Sequence, residues 1–204
     1  MSAVSTPADT AGTRSRIVAA AVSLFAEQGF DATSVNQVVA RAGVAKGALY
    51  HHFSSKDDLL YEVYRELVKR QLDGLTEILD QAAPPAQSLR AIITDMVVTT
   101  AERVAEAKVF FRESHRLGDA NQQRVRADRR RIHDAVTELV RSAQASGEFA
   151  PVAGPEMVTF TIFGVINELP VWYSPDGPLT PAEIAGQLAE LVLAGLGATE
   201  KGKP

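Results

Sequence analysis

The chain has 204 residues, 46% of them hydrophobic, and a formal net charge of −4. This length holds one domain or two small ones with a sizeable core, and the acidic balance excludes a polycation that coats nucleic acid indiscriminately, so any DNA binding must be local. The absence of cysteine excludes a disulfide framework, a thiolate metal site and thiol redox sensing.

Residues 1–12 are small and polar without periodicity, which predicts a disordered arm. Thr13 offers an N-cap for a first helix with Ile17, Val18, Ala21, Leu24 and Phe25 on one stripe, stopped at Gly29, with Phe30 folding back onto it. Ser34 and Gln37 form a capping box for a short second helix that turns its valines and Ala42 inward and ends at Gly43. After Gly43-Val44 a third helix holds only Ala45 to about His52, with Leu49 and Phe53 inward. Ser54 and Ser55, followed by Asp57 and Asp58, open a long helix to about Asp80 whose apolar stripe is interrupted near Gly74. Beyond Pro84-Pro85 the spacing predicts helices to about Ala107, from about Lys108 to Leu117, and from about Ala120 to Ser146. Pro155 starts another that runs to Val171 or Tyr173, and Thr180-Pro181-Ala182-Glu183 opens a last one through Leu196. No segment reads as a strand, so the expected fold is all-α, with a frayed tail at 198–204. No run of about 18 apolar residues and no basic-then-apolar leader is present, which predicts a cytoplasmic protein with no membrane partner.

Two short helices joined at a glycine turn have the size and steep crossing of a helix-turn-helix, whose second helix enters the DNA major groove. Lys46 and Gly47 fall on its first turn: the lysine reaches a guanine edge or a phosphate, and the glycine lets backbone approach. Ala48 suits a thymine methyl, and Tyr50, His51 and His52 follow toward phosphate or base. Thr33, Ser34 and Asn36 at the start of the preceding helix present hydroxyls and N–H groups to the phosphate chain, and Lys56 clamps the far side. Between residues 13 and 56 the bases Arg14, Arg16, Arg41, Lys46 and Lys56 outnumber Glu27 and Asp31.

The order Thr13-Arg14, Leu24-Phe25, Gly29-Phe30, Ser34-Val35, Ala42-Gly43-Val44, Gly47-Ala48-Leu49-Tyr50, Phe53 and Lys56 resembles the TetR family of transcriptional regulators. The resemblance implies a three-helix helix-turn-helix DNA-binding domain at 13–54, a helical ligand-binding and dimerisation domain at 55–197, and a homodimer. It also implies phosphate contacts from Tyr50 and Lys56, with Asn36, Lys46, Gly47 and His51 at or near the bases. Ala45 departs from the Ser or Thr common in the family, at a cost of about 1 kcal/mol of helix cap.

In the second half, Met96, Phe110, Phe111, His115, Phe160, Phe163, Asn167 and Trp172 are the large or adaptable residues that suit a ligand cavity, with His115 and Asn167 as its polar members. The pattern from Phe160 to Tyr173 through Leu196 resembles TetR members that sense acyl-CoA thioesters, and Arg124, Arg126, Arg129, Arg130 and Arg131 could meet CoA phosphates or form a solvated face. Ile162, Val165, Ile166, Leu188, Leu191, Val192 and Leu193 are too many apolar positions for one face of the last two helices, which fits a homodimer. The expected function is a repressor that binds a palindromic double-stranded operator and is released by a small-molecule effector; an activator or ligand-insensitive DNA binder is the alternative. His133-Asp134 and Glu113-His115 lack a nucleophile, phosphate loop or metal motif beside them, so no enzyme, cofactor or metal site is expected.

Overall fold

The computed structural model describes residues 7–197, and the side chains of residues 12–197. Every regular element among the described residues is helical: α1 Pro7–Gln28, α2 Val35–Ala42, α3 Lys46–His52, α4 Lys56–Asp80, α5 Pro85–Glu102, α6 Val104–Glu113, α7 Asp119–Ala145, α8 Pro155–Trp172 and α9 Pro181–Gly195, with a 3-10 turn at Ser114–Arg116. No described helix is long and apolar enough to cross a membrane.

The first helix starts earlier than its sequence signal. Proline tolerates the first helical turn, where its missing N–H has no partner to lose, and α1 begins at Pro7. Thr13 is therefore interior to the helix and accepts a hydrogen bond from Arg16 Nη2 at 3.2 Å instead of capping. The expected arm at 1–12 shrinks accordingly, and residues 1–6, like the expected tail at 198–204, lie outside the described residues. A second difference falls after Glu102, where Arg103 leaves helical geometry without any proline or glycine; α6 then spans Val104–Glu113 instead of Lys108 to Leu117.

The chain divides into two compact units, residues 1–66 with 105–125, and 67–104 with 126–204. The first is thus discontinuous and larger than the expected 13–54 domain. Within it α2 and α3 pack on α1, and Ile17, Phe25, Val38, Leu49, Leu60 and Phe110 are among the buried side chains. Phe30 does fold back, its ring 5.3 Å from Phe25.

Three polar ties hold the 112–121 segment inside this unit. Arg112 donates to the carbonyl oxygens of Phe25 and Ala26 at the C-terminal end of α1, where helix carbonyls otherwise lack partners. Arg116 pairs with Asp31 at 2.8 Å. Asp57 accepts from Gly118 N at 2.7 Å and Asn121 Nδ2 at 2.6 Å, so one carboxylate serves the starts of both α4 and α7.

In the second unit α5 packs against α9 and α8. Its core includes Leu89, Ile92, Ile93, Met96, Ile162 and Leu193. Both local signals at α9 are realised: Thr180 Oγ1 accepts from Glu183 N at 3.3 Å, and Glu183 Oε2 accepts from Thr180 N at 2.8 Å. Gly74 interrupts the α4 stripe because Asp95 of α5 occupies the space a side chain would need; a Cβ there would stand 2.7 Å from Asp95 Oδ2. Burial raises the Asp95 carboxyl above the usual range.

Candidate nucleic-acid interface

The turn between α2 and α3 is fixed by backbone chemistry. Ser34 Oγ accepts from Gln37 N at 3.2 Å while Gln37 Oε1 accepts from Ser34 N at 2.7 Å, closing the capping box. At the other end Gly43 adopts φ 64°, a left-handed conformation that disfavours any side chain. Its N–H donates to Ala40 O at 3.3 Å and that of Val44 to Val39 O at 3.1 Å, the two bonds of a Schellman cap. This cap releases the chain into α3 after only two residues.

The third helix has seven residues, too few to persist alone, so its stability comes from what it buries. Leu49 and Phe53 are buried in the unit, and each such side chain contributes about 1.5–3 kcal/mol. With those two inward, Lys46, Gly47, Tyr50 and His51 are exposed, and Ala48 and His52 are half-buried. Ala45 makes no side-chain cap, as its methyl requires. Arg14 of α1 lies 5.7 Å over the Phe53 ring. Burial, with His51 and Arg14 adding positive charge, pushes the His52 imidazole below its ordinary value.

Two expected phosphate contacts have other employment. Thr33 is 1% exposed; its hydroxyl donates to Gly29 O at 2.7 Å and accepts from Gln28 Nε2 at 3.2 Å, so in this structure the hydroxyl serves the turn. Lys56 Nζ donates to Phe30 O at 2.7 Å and Thr33 O at 2.9 Å and sits 4.2 Å from the Phe30 ring centroid. Its charge closes the α1–α2 turn. Ser34 and Asn36 remain exposed, although the Ser34 hydroxyl already caps α2.

One ion pair braces the same helices. Arg41 of α2 makes two hydrogen bonds to the Glu27 carboxylate of α1, at 2.9 and 3.0 Å, and Ser23 Oγ donates to Glu27 at 2.7 Å. These bonds, the one from Arg41 first, hold the Glu27 carboxyl down to about 2.

Residues 17–63 match the family described as "Bacterial regulatory proteins, tetR family". Residues 82–196 match "Tetracyclin repressor-like, C-terminal domain". The chain belongs to the TetR family of transcriptional regulators, which are not enzymes. It is 28% identical over 192 residues to the HTH-type transcriptional repressor KstR2 of Mycolicibacterium smegmatis, covering 94% of each chain. The TetR-family regulator PfmR from Thermus thermophilus superimposes with a TM-score of 0.81 at 28% identity, over 89% of this chain and 98% of that one. AibR, solved in complex with isovaleryl coenzyme A and operator DNA, shares the fold, with a TM-score of 0.76 at 23% identity over 88% of this chain and 97% of that one.

In this TetR-family chain the residues expected to hold an effector are scattered by environment. Met96 and Phe110 are each 1% exposed and belong to the packed cores of their own units; the Phe110 ring lies 4.3 Å from that of Tyr64. Phe111 and Phe163 are half-buried. His115, on the 3-10 turn, and Asn167 are exposed, so neither is the inward polar group it was expected to be. Phe160 and Trp172 are 60% and 50% exposed and lie with Met157, Val171 and Leu191 among the large apolar side chains left uncovered. All five arginines of the α7 cluster are exposed, and Arg124 lies 5.6 Å over the Tyr61 ring.

The inward polar groups are different ones. Asp95 Oδ2 and His133 Nε2 are buried without a hydrogen-bond partner among the described residues, and Thr137 and Thr159 are buried beside His133. A sequence signal for His133 exists in hindsight: it directly follows the inward Ile132, with Thr137 one turn on.

Proposed function

We propose that this chain is a transcriptional repressor that binds a palindromic operator as a homodimer and leaves it when a small, lipid-like effector such as an acyl-CoA binds the C-terminal unit. The observation that carries this reading is the division of α3, with Leu49 and Phe53 buried and Lys46, Gly47, Tyr50 and His51 exposed on one short helix after a Schellman turn. A helix so placed offers its first turn to base edges, and Ser34 and Asn36 at the start of α2 lie where a phosphate chain runs beside it.

Dimerisation is supported by the outer faces of α8 and α9. Ile162, Ile166, Leu188 and Leu193 are buried in the unit, while Val165 and Leu191 of the same stretches are exposed. Between the two helices lies an apolar groove of about 300 Å³ lined by Met157, Thr161, Val165, Leu188, Leu191 and Val192. A contiguous uncovered apolar surface marks an association site, and a second copy of the same pair of helices supplies a matching one under two-fold symmetry. Two recognition helices in successive major grooves lie about 34–36 Å apart.

Repression is read from similarity to a repressor over 94% of both chains. Release requires that the effector bind the DNA-incompetent arrangement more tightly than the competent one. The acyl-CoA class is supported by the resemblance of the C-terminal pattern, Phe160 to Tyr173 through Leu196, to TetR members that sense acyl-CoA thioesters. Selection of bound duplexes from a random-sequence pool tests the DNA half of the proposal. An enriched inverted repeat is expected; enrichment of a single unrepeated site, or none, refutes the dimeric operator.

A further inference from the structure

His133 of α7 sits at the end of a hydroxyl relay that favours one tautomer. Thr159 Oγ1 donates its one proton to Pro155 O at 2.9 Å. Thr137 Oγ1 donates to Thr159 Oγ1 at 3.1 Å. Only lone pairs of Thr137 are then left for His133 Nδ1, 3.4 Å away, so this contact is a hydrogen bond only when Nδ1 carries the proton. In the neutral ring that leaves Nε2 as a bare acceptor. Nε2 is shut off from solvent and has no partner among the described residues, and a buried acceptor left this way favours whatever donor can reach it. The ring lies against two phenylalanines of α8, 4.7 Å from Phe160 and 6.1 Å from Phe163 by centroid.

On the effector-responsive reading proposed above, we infer that His133 Nε2 is the hydrogen-bond acceptor of the effector site. It takes a hydroxyl or amide N–H carried by an otherwise apolar molecule, whose body replaces the Phe160 ring next to Phe163. Phe160 is 60% exposed, so its ring moves aside without opening the core that holds Ile162. Its displacement reshapes the α8 surface offered to the second copy, which couples occupancy to dimer geometry. An acceptor here also discriminates: a thioester carbonyl finds no donor at Nε2, so an acyl-CoA engages it through a hydroxyl or one of its amide N–H groups.

The test uses the full chain labelled with ¹⁵N-histidine, whose four histidines give a readable spectrum. At mildly alkaline pH His133 is expected to show a protonated Nδ1 and an unprotonated Nε2, and Thr137→Val is expected to release that preference. Cyclohexylmethanol is then titrated against its methyl ether, which has the same body and no donor. The alcohol is expected to shift the Nε2 resonance saturably, with the ether about tenfold weaker, and calorimetric titration is expected to show that preference lost in His133→Phe. A proton on Nε2 in the unaltered chain, no saturable shift with the alcohol, or equal binding of the two probes overturns the assignment. Duplex selection on the same sample reports the operator-binding reading separately, so either can fail without the other.

Discussion

The Lys56 ammonium donates to the carbonyl oxygens of Phe30 and Thr33, at 2.7 and 2.9 Å, and lies over the Phe30 ring. A lysine at the first residue of α4 thereby closes the turn that sets the entry to α2. Lys56→Ala is expected to lower stability by about 1.5–3 kcal/mol, the range for hydrogen bonds to a charged group, because two carbonyl oxygens lose their donor. The slope of operator affinity against salt concentration is expected to stay the same, because the ammonium is already held by two protein carbonyl oxygens. Urea denaturation and a salt titration check the two halves; a slope shallower by about one ion would return Lys56 to the phosphate backbone.

Acid weakens the brace between α1 and α2. The Glu27 carboxyl is held down from 4.5 to about 2 by Arg41 and then Ser23. Between those values the unfolded chain binds the proton and the folded one does not, so the stabilisation is complete above 4.5 and fades as pH falls toward 2. Glu27→Gln is expected to flatten that part of the stability profile and to leave the shape above it unchanged. Denaturant midpoints measured down the acid limb for both proteins decide it.

Ala45 precedes α3 without a side-chain cap. Ala45→Ser is expected to stabilise the protein by about 1 kcal/mol, through one hydrogen bond to an otherwise unpaired N–H of the first turn. The gain is read from the urea midpoint at unchanged denaturant slope. No gain would mean that the first turn of α3 is already satisfied by water at no cost.

DNA binding is expected to take up a proton at His52. Burial first, and then His51 and Arg14, lower its pKa from 6.5 in the protein without DNA, so the folded state favours the neutral ring and gains stability as pH rises to 6.5. A neighbouring phosphate favours the cation, so affinity should rise as pH falls through this region. His52→Gln should flatten that dependence, and its persistence in the variant would assign the proton elsewhere.

Much of the fold was legible because its signals are local. Ser34 with Gln37, Gly43, Thr180 with Glu183, and the proline at the start of α8 each act within a turn of their own position, and all are realised. The α3 face was equally readable, since burying Leu49 and Phe53 leaves Lys46, Tyr50 and His51 outside. Thr33 and Lys56 were not, because what decides them is a backbone oxygen: Gly29 O for one, and for the other carbonyls 23 and 26 residues away. The polar interior of the second unit was hidden for the same reason. His133 acquires its meaning from Thr159, on a different helix, whereas His115 and Asn167 looked equally suitable until their exposure was known.

A two-fold dimer is expected to sit on DNA through paired α3 helices. Native mass spectrometry of the 21.9 kDa chain with its selected duplex tests it most directly. Two chains per duplex are expected for the unaltered protein, and Leu191→Glu, which places a charge on the exposed apolar face of α9, should remove that complex while leaving a folded monomer. One chain per duplex for the unaltered protein, or an undisturbed two-chain complex for Leu191→Glu, would contradict it.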